Sequence, residues 1–405
     1  MKLGIGLIGG MGRGAFVGQL FNETGEAEVR IVYDIAPGSF AVGRERFETG
    51  GAKPTCTTDL NELLGRDDLD WVVVGTPDHT HYALARQVIE AAKNVFIEKP
   101  MTSTTAEADE LCALARKHGV QVVVGCELRY SPPVETVREA LWADRVGKPV
   151  SAVFVHQEAR GYTYFLRNFR KRRWGGVIMQ KGIHYIDMIN DWADSPPIRV
   201  TGTATQGVFG GRPEAAGQYC RDCRENGTCA FSFDTVPSPT WRKGGPREKG
   251  EHAFDHCVFM PDSDTEDNMH IHIDYANGLR VSYSAIYFAP INRKEVWLWG
   301  SKGSLHAVLD GPEPVVEFTP FVAGMREGQP ERLPIESFSG GHGGGDARMV
   351  RAIVAASRAG QVVRPHALDG RHGVAVAEYA AKSILSGMPE AIPLPGDPIT
   401  PPDSL

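Results

Sequence analysis

Apolar residues in the first 125 positions form short, nearly continuous runs that alternate with longer stretches of helical period. The runs are 3–8, 29–33, 71–75, 94–97 and 120–124. The helix-like stretches are 16–21, 40–47, 82–92 and 104–118. Continuous apolar runs of this length are typical of strands buried on both faces of a parallel sheet. The alternation predicts a doubly wound α/β domain whose ligand lies at the carboxyl ends of the strands.

From about Ser131 the pattern changes to a helix at 132–142 followed by strands of alternating polarity. The predicted strands are 150–157, 200–205, 270–275, 279–287 and 296–299. Within them, residues 269–275 alternate strictly, and Asn277-Gly278 is a strong hairpin turn. The pattern predicts an open-faced, mostly antiparallel sheet with helices on one face and a free face that forms the floor of a pocket. We therefore expect an α/β domain at 1–130 and an α+β domain at 131–405.

The turn after the first strand is rich in glycine and leads into the first helix. Its residues are Gly9, Gly10, Met11, Gly12, Arg13 and Gly14. Strand, glycine turn and helix in this order present backbone N–H groups and a positive helix end to a pyrophosphate. Two registers of the G-x-G-x-x-G pattern fit the turn. One starts at Gly9 and places Met11 at the second glycine; the other starts at Gly10 and ends at Ala15, and is preferred because alanine is allowed there.

Asp34 closes the second predicted strand, at about the distance where a ribose-binding carboxylate is expected. The alternative to a dinucleotide site is an ordinary strand-to-helix turn. The strand before the turn, the helix after it and Asp34 together favour an NAD-binding Rossmann domain at 1–130. The carboxylate accepts hydrogen bonds from two ribose hydroxyls and repels a 2′-phosphate. The sequence therefore favours NAD over NADP.

Composition narrows the class of protein further. The 405 residues suffice for two domains, and 42% hydrophobic with 23% charged residues is ordinary for a globular protein. The net charge of -7 argues against a general nucleic-acid or membrane surface. No apolar stretch approaches the roughly 20 residues of a membrane span, and the apolar start is too short for a signal peptide. We expect a cytoplasmic protein with neither nucleic acid nor membrane as partner.

Lys99 follows a predicted strand in the tripeptide Glu98-Lys99-Pro100. An exposed loop lysine is the simpler interpretation. A position just past the end of a central strand, in the crevice of a nucleotide-binding fold, favours a functional one.

Two stretches of the second domain carry further candidate chemistry. The basic run 167–173, with Arg167, Arg170 and Arg173 beside Trp174, is suited to an anionic substrate group, although a solvated loop or a subunit contact fits it equally well. His184 and Asp187 share a helix face, so the imidazole is placed to accept a hydroxyl proton while the carboxylate orients it. A histidine satisfied at a helix start is the alternative.

Cysteines cluster in the loop 206–261. Cys220, Cys223 and Cys229 form a C-x2-C-x5-C pattern, with Cys257 as the expected fourth ligand and His256 as the second choice; His252 is also near. This spacing predicts a metal site rather than disulfides in a cytosolic chain. A structural zinc ion is favoured over an iron–sulfur cluster, and its role would be to hold a loop that lacks an apolar core.

Near the C-terminus, Gly340 to Asp346 precede a predicted helix at 347–358, with Asp346 as its N-cap. The glycines allow either a mobile hinge or a close approach that brings His342 into the pocket. Both interpretations stay open.

Several motifs together carry a family resemblance. They are the glycine turn with Asp34, Thr76-Pro77 with His81, Glu98-Lys99-Pro100, Arg129-Tyr130, Gly175-Gly176 through Gly182-x-His184-x-x-Asp187, and Gly300-Ser301-Lys302-Gly303. They span essentially the whole chain and resemble the glucose-fructose oxidoreductase/inositol dehydrogenase (Gfo/Idh/MocA) family. The resemblance implies a Rossmann domain, an open-faced sheet domain for substrate, NAD(P) between them, and homodimers or homotetramers formed through the open sheet.

The resemblance also implies roles for individual residues. Lys99 and His184 match the catalytic pair, while Gln180 stands where many members have an aspartate, so the proton route needs another ionisable group or differs. The strand-end residues Thr76, Pro77, His79, His81 and Glu98 are expected beside the cofactor. Arg129 and Tyr130 are expected beside the substrate.

The leading hypothesis is an NAD-dependent oxidation of a secondary hydroxyl in a sugar or sugar derivative, with an anionic one suited to the basic run. The alternative is glycoside hydrolysis by transient oxidation, elimination, hydration and re-reduction, for example of a sulfonated glycoside. A nucleotide-sensing regulator is a third hypothesis, which the presence of both Lys99 and His184 disfavours.

Overall fold

The computed structural model describes residues 1–212, 217–235, 249–250, 253–324 and 326–395. The first sheet in these ranges contains β1 (Leu3–Ile8), β2 (Ala27–Tyr33), β3 (Thr55–Thr57), β4 (Trp71–Val74), β5 (Asn94–Glu98) and β6 (Val122–Gly125). All pairings are parallel, in the order β3-β2-β1-β4-β5-β6. The strand order reverses between β1 and β4, and a ligand crevice is expected at that point.

Helices pack on both faces of this sheet. They are α1 (Gly12–Glu23), α2 (Gly38–Phe47), α3 (Leu60–Leu64), α4 (His81–Glu90) and α5 (Thr105–His118). Every residue of β4 is buried, as its continuous apolar run predicted. The boundaries of α5 follow from local chemistry, since Thr104 and Glu107 form a capping box and Gly119 ends the helix in the left-handed conformation.

The second sheet is larger and mostly antiparallel. Its described strands are β7 (Pro149–Gln157), β8 (Pro197–Thr205), β9 (Asn268–Tyr275), β10 (Arg280–Ile286), β11 (Arg293–Gly300), β12 (Gly303–Val308), β13 (Val315–Pro320), β14 (Glu331–Arg332) and β15 (Glu390–Ala391). They lie in the order β14-β13-β12-β11-β7-β10-β9-β8-β15, and β7 pairs in parallel with β10. The hairpin predicted at Asn277-Gly278 joins β9 to β10.

The second part of the chain also contains α6 (Pro132–Trp142), α7 (Tyr162–Phe165), α8 (Ile183–Ala193), α9 (Gly345–Arg358) and α10 (Ala367–Ser386). Helices α8 and α10 pack against each other, and α10 packs on β8. In β9, Met269, Ile271 and Ile273 are fully buried, whereas His270 and His272 are exposed on the other face. The predicted architecture, a Rossmann sheet followed by an open-faced and mostly antiparallel sheet, is confirmed.

Helix α9 returns to the first sheet. Its buried Met349, Val350 and Ile353 belong to the same apolar cluster as Ile5 and Leu7 of β1. The chain after residue 340 therefore contributes to both halves of the molecule, and the division at residue 130 stays a prediction. None of the described helices combines the length and the apolar character that crossing a bilayer requires.

Candidate active site

Lys99 joins the two domains at the carboxyl edge of the first sheet. It follows the last residue of β5, and its Nζ donates to the Gln180 main-chain oxygen at 2.9 Å and to Gln180 Oε1 at 3.2 Å. Gln180 lies in a π-helical turn, Ile178–Gly182, directly before α8. Burial lowers the pKa of Lys99, and the nearby carboxylates of Asp78 and Glu98 oppose that shift.

His184 lies in the first turn of α8, and its side chain is buried. Burial, and after it the charge of Lys99, lower the pKa of His184 to about 3, although Glu127 acts in the opposite direction. The imidazole is therefore neutral near pH 7 and able to accept a proton. Its Nδ1 atom is buried and has no hydrogen-bond partner among the residues that the structure describes.

Asp187 does not orient His184, contrary to the prediction from their spacing. Its two carboxylate oxygens accept from Nε and Nη2 of Arg129 at 2.7 and 2.8 Å. Nη1 of Arg129 also pairs with Asp191 at 2.9 Å and with Asp369 at 3.3 Å. Arg129 is 2% exposed, so it is a buried structural cation rather than a residue open to substrate. The neighbouring Tyr130 hydroxyl donates to the Arg364 carbonyl at 2.5 Å.

The carboxylate beside His184 is Glu127, which the sequence analysis missed. Glu127 Oε1 lies 3.3 Å from His184 Nε2 and 3.2 Å from His342 Nδ1. The potential ligand atoms of these three residues all lie within 4.8 Å of one another. One signal was available in the sequence, because Glu127 follows β6 as Lys99 follows β5, and the carboxyl ends of parallel strands share one edge of a sheet.

His342 reaches this group from the glycine-rich segment before α9. It has a left-handed backbone with φ of 50°, and its Nδ1 also lies 2.8 Å from Asp346 Oδ2. The ring centroids of His342 and His184 are 5.9 Å apart. Of the two interpretations of the segment, the structure shows the close approach.

The glycine turn fits a pyrophosphate. Helix α1 starts at Gly12 without a side-chain cap and without an acidic residue in its first turn, so its N–H groups are open to an anion. Gly9 has φ of +110°, and a Cβ at Gly14 would lie 2.4 Å from the Gly9 carbonyl oxygen. Gly14 of α1 thus packs directly on the backbone of Gly9. This favours the G-x-G-x-x-G register that starts at Gly9 and places the exposed Met11 at the second glycine. The register that starts at Gly10, which the sequence favoured, fits less well.

Asp34 lies beyond β2 at the same edge. Its Oδ2 accepts from the Gly10 N–H at 2.8 Å, and its Oδ1 accepts from the Ala36 N–H at 2.9 Å. A carboxylate has about four acceptor positions, so capacity for ribose hydroxyls is left. The uncapped helix end, the close-packed glycines and this carboxylate are together the features that a dinucleotide needs.

Other residues predicted near the cofactor hold the crevice together. The two ring nitrogens of His81 lie 2.7 and 2.9 Å from the carbonyl oxygens of Pro100 and Thr76, so this buried ring ties the Lys99 loop to the loop after β4. Arg13 donates to Glu98 Oε1 at 2.7 Å and to Asp346 Oδ1 at 2.9 Å. This pairing fixes the glycine turn against β5 and α9. Pro77 follows Thr76 in the loop after β4.

The basic run is largely neutralised by acidic residues in the segment 262–266. Arg170 forms an ion pair with Asp262, and Arg172 forms one with Glu266. The Arg167 guanidinium lies 5.2 Å from the Phe254 ring centroid, and burial lowers the pKa of Arg167 to about 10. Trp174 packs edge-on against His79, with ring centroids 4.8 Å apart, and so links the run to the first domain. Arg173 is exposed.

The four predicted metal-binding cysteines line one small cavity. Cys220, Cys223, Cys229 and Cys257 surround about 20 Å³ of space together with Phe231, Phe259 and other residues. The Cys220 sulfur accepts from the Phe233 N–H at 3.4 Å. His256 does not line the cavity; its ring packs on Tyr219 and its Nδ1 lies 3.4 Å from Arg170 Nη2. His252 falls outside the described ranges.

The fold and this site define an oxidoreductase with an NAD-binding Rossmann domain. Residues 3–126 match the family described as "Oxidoreductase family, NAD-binding Rossmann fold", and residues 138–392 match its "C-terminal alpha/beta domain". These two matches cover most of the chain. The protein therefore belongs to the Gfo/Idh/MocA family.

Individual relatives agree with this assignment. The YteT protein of Bacillus subtilis (strain 168) is 26% identical over 355 residues, which cover 80% of this chain and 82% of YteT. Inositol 2-dehydrogenase 1 of Saccharopolyspora erythraea is 30% identical over 203 residues, which cover 50% of this chain and 57% of that enzyme. A solved levoglucosan dehydrogenase in complex with NADH and levoglucosan covers 97% of this chain and 100% of its own, with a TM-score of 0.74 and 17% identity. At that identity the structural likeness shows the fold alone.

Proposed function

We propose that the protein oxidises a secondary hydroxyl of a sugar or cyclic polyol with NAD as the hydride acceptor. The observation that carries this proposal is the meeting of Lys99 from the first domain with the Gln180–His184 segment of the second, in the crevice beside the glycine turn. In this proposal neutral His184 accepts the hydroxyl proton, and the Lys99 ammonium stabilises the developing alkoxide. Gln180 holds Lys99 in place through its two oxygens.

The names of two similar proteins support the substrate class. One acts on inositol and the other binds levoglucosan, and both compounds are cyclic and carry several hydroxyl groups. The ion pairs of Arg170 and Arg172 leave less free positive charge in the basic run than the sequence suggested. We therefore favour a neutral substrate over the sulfonated or carboxylated one, with Arg167, Arg173, Trp174 and His342 kept as candidate contacts.

The experiment that tests this function is incubation of the protein with NAD and a panel of compounds, with NADH and nitrophenol recorded together. The panel contains myo-inositol, levoglucosan, free hexoses, and neutral and anionic nitrophenyl glycosides. Lasting NADH with at least one polyol or sugar supports the proposal. Nitrophenol without lasting NADH, with solvent deuterium at the carbon next to the oxidised one, would instead assign the redox-assisted glycoside hydrolase. No reaction of either kind would contradict both.

Asp34 is expected to set the preference for NAD. Replacing Asp34→Ala removes an acceptor for the ribose hydroxyls, so we predict NAD binding weakened by about 10–100-fold, the range of a hydrogen bond to a charged group. Binding of NADP should weaken less or improve, because the repulsion of its 2′-phosphate is removed. Calorimetric titration of both cofactors into wild type, Asp34→Ala and the exposed control Asp59→Ala measures this. An unchanged ratio of the two affinities would contradict the assignment.

We also propose a structural zinc ion bound by Cys220, Cys223, Cys229 and Cys257. Four thiol groups from three parts of the loop line one cavity of about 20 Å³, and zinc prefers four thiolates in structural sites. The N–H donor to the Cys220 sulfur would stabilise its thiolate form. The site lies in the loop 206–261 and would stabilise that loop rather than take part in the reaction.

Metal analysis with a matched cysteine variant tests the zinc proposal. We predict one equivalent of zinc in wild type and in Cys56→Ser, which alters an exposed cysteine on β3, and none in Cys223→Ser. The Cys223→Ser variant should also unfold at a lower temperature, because the loop loses its metal link. Iron with acid-labile sulfide in place of zinc would assign a cluster, and no metal in wild type would remove the site.

The subunits are proposed to associate as a homodimer or homotetramer through the uncovered face of the second sheet. Trp299 of β11 is a large apolar side chain on this face and is 41% exposed. Light scattering at several concentrations measures the state directly, and a monomer throughout would contradict the proposal.

A further inference from the structure

Glu127 is a fully buried carboxylate at the centre of the candidate site. Its exposure is 1%, and neither of its oxygens has a hydrogen bond of good geometry within the described ranges of the chain. A buried carboxylate is costly unless opposite charges or donors compensate it. The groups that face Glu127 are therefore informative about its role.

Two imidazoles and one guanidinium provide that compensation. His184 Nε2 and His342 Nδ1 lie 3.3 and 3.2 Å from the same oxygen, Oε1, and the charge of Arg13 also acts on Glu127. Burial by itself would raise the pKa of Glu127, but His342, His184 and Arg13 together hold it well below its usual value. Glu127 is thus ionised near pH 7.

The surroundings of His342 favour its protonated, positively charged form. Glu127 raises the pKa of His342 above its usual value, burial opposes, and Asp346 adds to the rise through its contact at 2.8 Å. The charge of Lys181 opposes as well. His342 reaches this position with a strained left-handed backbone, as is found at sites where function sets the conformation.

We propose that Glu127 and His342 act in opposition on His184, the carboxylate strengthening it as a base and the imidazolium weakening it. Both are positioning residues, and the inference rests on the proposed function. In the oxidation the substrate O–H bond would break, an N–H bond would form at His184 Nδ1, and the oxygen electron pair would form the C=O bond as the adjacent C–H gives up its hydride, which NAD would accept. The Nδ1 atom is left for this proton because Nε2 faces Glu127.

Gln180 cannot titrate, and in this arrangement Glu127 is the ionisable group that takes its place. Glu127 supplies a carboxylate from the helical turn that follows β6, and so stabilises the imidazolium that forms on His184, as a buried carboxylate does in other acid–base pairs. Lys99 and Lys181 lower the pKa of His184, and the His342 ring centroid lies 5.9 Å from that of His184. His342 makes the base strength depend on pH: as the pH rises through the raised pKa of His342, its cation is lost and His184 becomes a stronger base. The oxidation rate should therefore rise over that range.

Two nearly isosteric variants test the proposal because they are predicted to act in opposite directions. Glu127→Gln should lower kcat for oxidation about 10–100-fold at pH 7, toward the lower range of acid–base contributions. His342→Asn keeps a donor at the Nδ1 position and tolerates a positive φ, so it should fold. It should raise kcat several-fold at the pH values where His342 of the wild type is protonated, and abolish the pH-dependent rise. The rates are measured with saturating amounts of the panel compound that wild type oxidises fastest, and exposed Glu62→Gln is the control.

Histidine NMR of the NAD-bound protein gives a second measurement that needs no turnover. The resonance missing in His342→Asn identifies His342. Its pKa should lie above 6.5, the ordinary value for histidine, in wild type and in Glu62→Gln, and should fall in Glu127→Gln. An unchanged pKa of His342 in Glu127→Gln, or a lowered kcat in His342→Asn, would overturn the proposal while leaving the proposed function standing. Metal analysis that finds one equivalent lost in Glu127→Gln but kept in Cys223→Ser would also overturn the proposal. Glu127, His184 and His342 would then be metal ligands.

Discussion

Replacing Lys99→Met is expected to abolish turnover while leaving NAD binding nearly intact. Methionine keeps the length and apolar stem of the side chain but removes the ammonium group, which in this account stabilises the alkoxide in the transition state. Loss of such an electrostatic contact lowers kcat by about a thousandfold. The variant should fold normally, because the substitution removes two hydrogen bonds to Gln180 and does not change the packing of the apolar core.

The measurement is NADH formation with the panel compound that wild type oxidises, beside calorimetric titration of NAD. Lys53→Met is the matched control, since Lys53 is an exposed lysine of the same domain. A Lys99→Met enzyme that keeps a tenth or more of wild-type activity would contradict the role given to Lys99. A tenfold loss corresponds to only about 1.4 kcal/mol of transition-state stabilisation.

Arg129→Met is expected to cost the largest amount of stability of any substitution considered for this protein. The guanidinium is 2% exposed and pairs with Asp187, Asp191 and Asp369, so its removal takes the bidentate counter-charge from Asp187 and one of several cationic partners from each of the other two. Breaking a buried ion pair on one side costs about 3–5 kcal/mol. Because Asp187 and Asp191 lie on α8, the helix that presents His184, activity should also fall.

Urea unfolding followed by tryptophan fluorescence measures the stability change. Arg86→Met is the control, because Arg86 pairs with Glu90 and Glu110 at the surface, where such pairs contribute about 1 kcal/mol or less. A similar unfolding midpoint for Arg129→Met and Arg86→Met would show that the buried network contributes little. It would also reopen Arg129 as a residue free to contact substrate.

Most of the fold was predictable because it follows from local patterns. The continuous apolar runs identified the parallel strands, and strict alternation with Asn277-Gly278 identified the β9–β10 hairpin. The parallel pairing of β7 with β10 was not predictable, because it joins strands more than 100 residues apart in sequence. The return of α9 to the first sheet was missed for the same reason, since its amphipathic pattern does not say which sheet covers it.

The candidate site was only partly predictable from sequence. Helical spacing put His184 and Asp187 on one face of a helix. It could not show that Asp187 binds Arg129, which lies in the turn after β6. No motif marks Glu127, and its position after β6 was the one sequence signal for it. The distance between Glu127 and His342 is set by the packing of α9 on the first sheet, and spacing rules do not extend to such tertiary contacts.

In the proposed reaction, Lys99 and His184, one residue from each domain, act on one substrate hydroxyl. The most direct measurement is a crystal structure of the Lys99→Met variant with NAD and the panel compound that wild type oxidises. We expect the hydroxyl on the carbon facing the nicotinamide to lie within hydrogen-bond distance of His184 Nδ1, with the side chain at position 99 against the same oxygen. A substrate whose reacting hydroxyl contacts neither His184 nor position 99 would contradict it.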